Sequence, residues 1–368
     1  MTDASERISE RIGPVGRIAY AAAQTARVAW FFGQYALAAR LSGPAVPRDR
    51  RPRGLSMPDT RGILAELRAL MERDLANIAA GTYRMPHDLV PAPARVLADA
   101  AAFFRDLPQV ARRRRGGVGF EVRENPPPEA EKAAERLPPY YRQNFHFQTD
   151  GYLSARSARL YDHQVEVLFG GGADAMRRQA LVPIFEHLKD RALADCRLTD
   201  VAAGTGRFLT FVKDNWPRLD TTAVDLSHAY MAEARRRLAP WARSTRVVQA
   251  AAEALPLPDA SQDVVTCVYL FHELPRGVRA RVAAEIARVL KPDGIAVFVD
   301  SLQRGDNPAM DGLLELFPLA FHEPYYADYA GQDLGALFAG AGLSARSSTL
   351  AFLSKVMVLA KDGAEAPS

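Results

Sequence analysis

Cysteine is scarce in this 368-residue chain, which contains only Cys196 and Cys267. Two cysteines make neither a disulfide framework nor a cysteine-rich zinc site, so we expect a reducing, cytoplasmic compartment and no bound metal. Long hydrophobic runs are also missing, because no window approaches the roughly 18 uncharged apolar residues of a membrane-spanning helix. A content of 48% hydrophobic and 24% charged residues is ordinary for a globular protein, and the length allows two domains.

Positive charge is concentrated in the N-terminal part of the chain. Residues 1–150 contain 23 Lys and Arg against 17 Asp and Glu, whereas the remainder contains 24 against 26. Such an excess is typical of a contact with nucleic acid or a membrane surface, and equally of a solvated arginine-rich surface. The run Arg112–Arg115 has no adjacent aromatic residues on which bases would stack. We therefore expect this run to be a solvated helix end, and a nucleic-acid partner is the less favoured interpretation of the basic region.

A helix is predicted over Val15–Leu41, where aromatic residues cluster and arginines recur. Glu6 and Glu10 interrupt the basic start that a signal peptide requires, so we interpret this segment as part of the folded protein. The helix either lies in a membrane interface or covers an apolar surface of its own protein. We favour the second interpretation and leave a peripheral membrane contact open.

Further helices and proline-rich linkers are predicted for the rest of residues 1–137. Residues 43–60 contain four prolines among arginines, which is typical of a linker. Asp59 is positioned to cap a helix that continues to Ala79, and another helix is expected from Pro93 to Val110. We therefore define 1–137 as a helical N-terminal region.

Residues 138–162 mix aromatic and polar side chains between turn residues, which is unusual for a helix face and common in pocket walls. Gly170–Gly172 is expected to separate two helices, because no apolar strand precedes it and no Lys-Ser/Thr pair follows it. We define 138–177 as an aromatic hinge or lid segment, since both roles fit. Its candidate substrate-binding residues are Tyr140, His146, Tyr152 and Tyr161.

Strand and helix patterns alternate from Cys196 onward, which predicts an α/β fold with a parallel sheet and helices on both faces. The expected strands are Leu198–Ala202, Asp220–Asp225, Thr245–Ala250, Val264–Tyr269, Ile295–Ser301, Ser344–Leu350 and Leu353–Ala360. The expected helices are Gly206–Asn215, Ala229–Leu238, Arg276–Val289 and Gly331–Ala341, and Lys291–Gly294 is expected to form a turn. The α/β domain is assigned to 178–361, and 362–368 to a disordered tail.

The stretch Leu198–Leu209, LTDVAAGTGRFL, is typical of a strand, a tight turn and a helix start. Dinucleotide-binding loops begin with the same Gly-x-Gly but carry a third glycine where this chain has Leu209. Asp200 would repel a phosphate and suits a cationic amino group. S-adenosylmethionine, a ligand without phosphates, fits this loop. Its candidate cofactor-binding residues are Asp200, Ala202, Gly204, Thr205 and Gly206.

Open α/β sheets bind ligands beyond the carboxyl ends of their strands, and a second acidic residue follows the next strand. Asp225 is a candidate acceptor for both ribose hydroxyls, and Leu226 is placed to lie on the adenine. Taken alone, Asp225 could equally be the cap of a helix, and Gly204 could equally be an ordinary turn glycine. Their joint order and spacing favour a cofactor site.

Candidate residues also follow the third and fourth strands. Ala252 and Glu253 offer groups to the adenine edge, and Tyr269 and His272 lie where a methyl donor and its acceptor would meet. His272 is the best-placed histidine for a general base, and orienting the cofactor or capping a helix are equal alternatives. The rings of Tyr269 and Tyr152 are candidates to stabilise a sulfonium charge.

Residues 178–361 resemble a class I S-adenosylmethionine-dependent methyltransferase, close to ubiquinone and menaquinone C-methyltransferases. The matching motifs are DVAAGTG (200–206), TAVDLS (222–227), AEALPLPDASQDVV (252–265), FHELP (271–275) and EIARVLKPDG (285–294). The resemblance implies a Rossmann-like, seven-stranded sheet with an exchanged final strand pair, and S-adenosylmethionine as the cofactor.

The chain departs from the family pattern at two positions of the cofactor site. Ala251 replaces an Asp that reaches the adenine amino group, so adenine would be held by backbone near Ala252, by Glu253 or by water. Loss of one buried polar contact costs roughly 1–3 kcal/mol, which weakens binding without abolishing it. Ala203, where Gly or Cys is common, is a milder change.

The expected function is transfer of a methyl group to a small hydrophobic or aromatic acceptor, such as a lipid, quinone, isoprenoid or related metabolite. A second aromatic insert, which follows the fifth strand, adds Tyr325 and Tyr326 to the expected acceptor pocket. Two alternatives stay open at this point. One is an RNA or protein methyltransferase that uses the basic N-terminal region, and the other is an S-adenosylmethionine-binding protein without turnover.

Overall fold

A seven-stranded sheet forms the centre of the computed structural model, which describes residues 12–43, 45–46, 51–52, 54, 56–131 and 135–363. The strands are β1 (Arg197–Val201), β2 (Asp220–Asp225), β3 (Thr245–Gln249), β4 (Gln262–Val268), β5 (Leu290–Ser301), β6 (Leu343–Ala351) and β7 (Ser354–Lys361). Their order is β3-β2-β1-β4-β5-β7-β6. β1 to β5 pair in parallel, and β7 lies antiparallel between β5 and β6. The α/β prediction with an exchanged final pair is confirmed.

Buried apolar residues on the central strands explain why helices cover both sheet faces. Leu198 and Val264 belong to one hydrophobic cluster, whereas Val201 and Val265 belong to a second cluster on the opposite face. The predicted strand ends agree with the structure within two residues, except at β5. Lys291–Gly294, which we expected to form a turn, belongs to β5 instead. The pairing of β5 with β4 shifts its register next to this segment.

The helices of the sheet domain join successive strands or precede β1. They are α5 (Ala155–Leu168), α6 (Ala173–Arg178), α7 (Leu181–Leu188), α8 (Arg207–Asn215), α9 (His228–Leu238), α10 (Arg276–Val289), α11 (Asp311–Ala320), α12 (Tyr326–Ala330) and α13 (Leu334–Ala339). Gly170–Gly172 separates α5 from α6, as predicted. The single helix expected after the glycine triplet is divided into α6 and α7, and the one expected over Gly331–Ala341 is shortened to α13.

The N-terminal helices pack on the sheet domain. They are α1 (Pro14–Ser42), α2 (Thr60–Ala80), α3 (Pro93–Gly116) and the short α4 (Glu121–Glu124). The Tyr20 hydroxyl of α1 donates to Asp74 of α2 at 2.5 Å, and Arg178 of α6 donates to the same carboxylate at 2.6 Å. Tyr20 shares a hydrophobic cluster with Leu198 of β1. Helix α1 therefore covers part of its own protein.

Helix α3 continues past the predicted end at Val110 and includes the arginine run. Arg113 is buried, pairs with Glu121 and donates to the Thr149 hydroxyl at 3.0 Å, so this run is not simply a solvated helix end. Asp59 caps α2 as predicted, with its side chain accepting from the Gly62 amide at 2.7 Å.

No helix in the described part of the chain is long and apolar enough to cross a membrane. The residues on which the signal-peptide argument rests, Glu6 and Glu10, lie outside the described residues. So do part of the linker 43–60 and most of the tail 362–368. The domain boundaries at 137, 177 and 361 stay predictions.

Candidate functional site

A cavity of about 910 Å³ opens beyond the carboxyl ends of β1, β2 and β4. Ligands of open α/β sheets bind at this edge. The expected cofactor-binding residues that line the cavity are Asp200, Ala202, Gly204, Thr205, Asp225, Leu226, Ala252, Glu253 and Tyr269. Tyr140, Tyr152 and Tyr161, expected to bind substrate, contribute to its walls as well. The aromatic segment and the sheet edge therefore enclose one space.

The two glycines of the loop after β1 have different structural roles. Gly204 has a φ of 56°, and a Cβ added there would meet no atom within 4 Å. Gly206 has a φ of 75° and does not line the cavity, and a Cβ there would lie 2.9 Å from Leu238 Cδ1. Gly204 therefore lets a ligand approach the backbone, whereas Gly206 lets α9 pack against the loop.

Asp225 holds the glycine loop in place from the end of β2. One carboxylate oxygen accepts from the Gly204 amide at 2.9 Å, and the other accepts from the Ser227 amide at 2.8 Å. Burial raises the pKa of Asp225, although these amide contacts oppose the shift. Each oxygen retains a lone pair, so the carboxylate is able to accept from a ligand hydroxyl while it holds the loop.

Opposite charges line the cavity near the end of β1. Asp200 is 1% exposed and accepts from the Thr266 hydroxyl at 2.6 Å. Burial raises the pKa of Asp200 to about 7, an effect that the nearby Arg177 partly opposes. Arg177, on α6, also lines the cavity and was not identified from the sequence. A carboxyl and a guanidinium in one cavity suit the amino and carboxylate groups of an amino acid.

Glu253 has one carboxylate oxygen that is available to a ligand. Its Oε1 accepts from the Tyr140 hydroxyl at 2.7 Å, whereas its Oε2 is buried and has no hydrogen-bond partner among the described residues. A buried acceptor without a partner carries a desolvation cost that a ligand donor would remove. Because Ala251 has no side-chain acceptor, Glu253 Oε2 is the side-chain atom best suited to an adenine amino group.

Thr205 is tied to the protein by its side chain. Its hydroxyl bonds the Asp162 carboxylate at 3.0 Å and accepts from Arg237 at 2.9 Å. The residue is 2% exposed. Its role in the cavity wall is therefore to fix the loop between α5 and α9.

A second cavity of about 630 Å³ shares Tyr161, Tyr269 and Glu273 with the first. Its walls are mostly apolar and aromatic, and they include Phe169, Leu314, Phe317, Tyr326, His146 and His272. Tyr325 lines neither cavity, and its carbonyl instead accepts from Arg279 at 2.8 Å. Of the two tyrosines predicted on this insert, the structure brings only Tyr326 to the second cavity.

His272 is the candidate proton-handling residue in the second cavity. Its Nδ1–H donates to Asp300 Oδ1 at 2.5 Å, and its Nε2 lies 3.9 Å from Glu273 Oε1. Burial lowers the pKa of His272, but the Asp300 carboxylate outweighs burial and raises it to about 9. The expectation that ligand-binding residues lie at or beyond the carboxyl ends of strands, the strand-end rule, located His272. Asp300 lies near the end of β5, so the same rule would also have located this partner of His272.

A third cavity of about 1070 Å³ adjoins the second through His146, Tyr161, Val165 and Leu168. Helices α1 and α3 supply much of its wall, including Tyr35, Ala38, Phe103, Leu107 and Val110. Its lining is predominantly apolar. No sequence pattern indicated this space, because it arises where helices distant in sequence pack together.

The strand order and the glycine loop are those expected of a class I S-adenosylmethionine-dependent methyltransferase domain, a class whose cofactor is S-adenosylmethionine. Residues 198–294 match the family model described as a methyltransferase domain.

Two curated proteins and one solved structure are similar to this chain. The chain is 32% identical over 162 residues to a ubiquinone/menaquinone biosynthesis C-methyltransferase of Methylobacterium nodulans, covering 44% of this chain and 62% of that protein. It is 31% identical over 167 residues to a demethylmenaquinone methyltransferase of Deinococcus radiodurans, covering 45% and 66%. The chain thus spans less than two thirds of these relatives. The crystal structure of an S-adenosylmethionine-dependent methyltransferase from Aquifex aeolicus aligns with a TM-score of 0.36 at 18% identity, covering 50% of this chain and 91% of that one.

Proposed function

We propose that the protein transfers a methyl group from S-adenosylmethionine to a small acceptor with a hydrophobic or aromatic body. This proposal rests on one observation, namely that the first and second cavities adjoin each other. The cofactor cavity shares Tyr161, Tyr269 and Glu273 with a largely apolar second cavity. The curated relatives named above act, by their names, on quinone precursors. A lipid, quinone or isoprenoid-like acceptor is the corresponding proposal for this chain.

The residues of the first cavity fit the cofactor, group by group. Asp200 would bind the amino group and Arg177 the carboxylate of the methionine part. Asp225 would accept from the ribose hydroxyls, and Glu253 Oε2 from the adenine amino group. The bound cofactor supplies an electrophilic methyl group on a positively charged sulfur. The protein's contribution is to hold that group at the boundary with the second cavity, where an acceptor is aligned with it.

His272 in its neutral form is proposed to take the acceptor's proton on Nε2, and because the pKa of His272 is raised to about 9, this form increases as pH rises towards 9. Asp300 bonds Nδ1 and fixes the orientation of the ring, so Nε2 is the nitrogen directed towards Glu273. A histidine held by a carboxylate in this way is a common arrangement for proton transfer. Aromatic walls at Tyr161 and Phe169 would exclude water from the reacting atoms.

A long apolar tail on the acceptor is compatible with the third cavity. That cavity adjoins the second and extends to Tyr35 and Ser42 on α1. Several apolar side chains of α1 are exposed, namely Val15, Ile18, Trp30, Tyr35, Leu37 and Leu41. A peripheral membrane contact through α1, which would deliver such an acceptor, stays a prediction.

The proposal is tested by methyl transfer to extracted metabolites. Purified protein is incubated with methyl-labelled S-adenosylmethionine and with the lipid and aqueous fractions of the source cells. Label is expected in a compound of the lipid fraction, which mass spectrometry then identifies. Label found only in RNA or protein would contradict the acceptor class, and cofactor binding without any transfer would support a protein without turnover.

A further inference from the structure

Three side chains that could bind a metal converge beside the second cavity, and two of them, His146 and Glu273, line it. His146, Glu273 and Glu323 each offer one atom, and these atoms all lie within 4.8 Å of one another. His146 Nε2 lies 3.2 Å from Glu323 Oε1. They come from three separate parts of the chain: the aromatic segment, the end of β4 and the connection between α11 and α12. Such convergence of distant residues requires a specific packing.

Glu323 is the residue that points to a missing ligand. It is 2% exposed, and among the described residues neither carboxylate oxygen accepts a hydrogen bond of good geometry, although Oε1 lies 3.2 Å from His146 Nε2. Burying an unpaired carboxylate is costly, so such a group either retains a proton or binds a cation. A carboxylate oxygen of Glu273 lies within 4.8 Å of one of Glu323. Two carboxyl groups this close favour a bound positive charge.

The surroundings of the cluster resemble the outer shell of a metal site. The Tyr152 hydroxyl donates to Glu273 Oε1 at 2.5 Å and fixes that carboxyl group. Metal-bound carboxylates commonly have such orienting contacts. The Nε2 atom of His146 faces the cluster, and a neutral imidazole nitrogen is a common metal ligand.

We propose that His146, Glu273 and Glu323 bind a divalent metal ion of the Mn²⁺, Fe²⁺ or Zn²⁺ class beside the second cavity. An imidazole with two carboxylates suits these ions better than Ca²⁺ or Mg²⁺, which prefer oxygen ligands alone. The scarcity of cysteine led us to expect no metal. That expectation does not bear on this site, because none of its three ligands is a cysteine. Ligand atoms of a tetrahedral Zn²⁺ ion lie about 3.4 Å apart, so metal binding requires a modest contraction of the cluster.

The position of the ion gives it a function that rests on the proposed methyltransferase activity. Glu273 lines both cavities, and His146 lines the second and third. An ion held by three protein ligands has open coordination positions. One such position would bind an oxygen of the acceptor and orient it towards the methyl group. Metal binding itself does not depend on this role.

The test is a Mn²⁺ titration of the full-length protein, previously treated with a chelator and dialysed, in which electron paramagnetic resonance measures free Mn²⁺. We expect one bound ion per chain and a higher Tm in its presence. Glu323→Gln is expected to weaken Mn²⁺ affinity at least about tenfold. The matched control is Glu315→Gln on α11, where the native glutamate forms a surface ion pair with Arg304, and its Mn²⁺ affinity should equal that of the wild type.

Two results would overturn the metal site. One is the absence of Mn²⁺ binding by the folded wild type at millimolar concentration, which would mean that the carboxyl groups hold protons instead. The other is equal Mn²⁺ affinity in the wild type and Glu323→Gln. His146→Asn provides a second variant if Glu323→Gln fails to fold. S-adenosylmethionine binding is measured in each sample, so failure of the metal site is distinguished from failure of the cofactor site.

Discussion

The substitution Gly204→Ala tests the approach of the cofactor to the glycine loop. The added Cβ has no neighbour within 4 Å, so it extends into the cavity without a clash in the protein. The residue keeps a φ of 56°, and the left-handed conformation costs an alanine about 1–2 kcal/mol. We expect folded protein with a slightly lower Tm and an S-adenosylmethionine affinity reduced at least about tenfold, or ~1.4 kcal/mol.

Gly342→Ala is the matched control for the backbone strain of Gly204→Ala. Gly342 has a φ of 78°, and a Cβ added there would also meet no atom within 4 Å. It directly precedes β6 and does not line the cofactor cavity. Gly342→Ala should show a similar loss of Tm with unchanged cofactor affinity. Isothermal titration calorimetry and thermal unfolding measure both quantities, and wild-type affinity in Gly204→Ala would refute the proposed approach of the cofactor to this loop.

Three further predictions concern side chains of the site. Glu253→Gln keeps one acceptor oxygen, which the Tyr140 hydroxyl engages, and turns an NH2 donor towards the adenine amino group. Calorimetry should show an affinity loss equivalent to about 1–3 kcal/mol, and unchanged affinity would contradict a contact between Glu253 Oε2 and adenine. His272→Asn should lower turnover about 10²–10⁴-fold with cofactor affinity retained, and equal losses of both would indicate a structural role instead. Because Asp200 has a pKa of about 7 and the bound amino group requires its ionised form, cofactor affinity should fall as pH drops below about 7. Asp200→Asn should abolish that dependence, and a wild-type profile flat from pH 5 to about 8 would contradict it.

The sequence was sufficient to predict the parts of the fold with strong local signals. Alternating strands and helices located the sheet, and the strand-end rule led to Asp200, Asp225, Glu253 and His272. These residues lie at or just beyond strand ends, so their position in the fold follows from their position in the chain. Thr205 was predicted to bind the cofactor, but its hydroxyl is already bonded to Asp162 and Arg237 on two other helices. The sequence did not indicate these partners.

Other features of the site depend on tertiary packing and leave no periodic pattern. Tyr325 and Tyr326 are adjacent at the start of α12, and a sequence pattern alone does not show which of them faces the cavity. Arg177 lies on a short helix before β1, where no strand-end rule applies. Glu323 becomes a buried carboxyl group beside His146 only because the connection after α11 packs against that residue. The third cavity likewise requires α1 and α3 to pack together.

Calorimetric titration of the purified protein with S-adenosylmethionine tests the central claim most directly. We expect one cofactor molecule to bind per chain, with lower affinity in Gly204→Ala and Glu253→Gln and unchanged affinity in Gly342→Ala. Folded protein that fails to bind S-adenosylmethionine, or that binds it equally in all these variants, would contradict the assignment of the cofactor cavity.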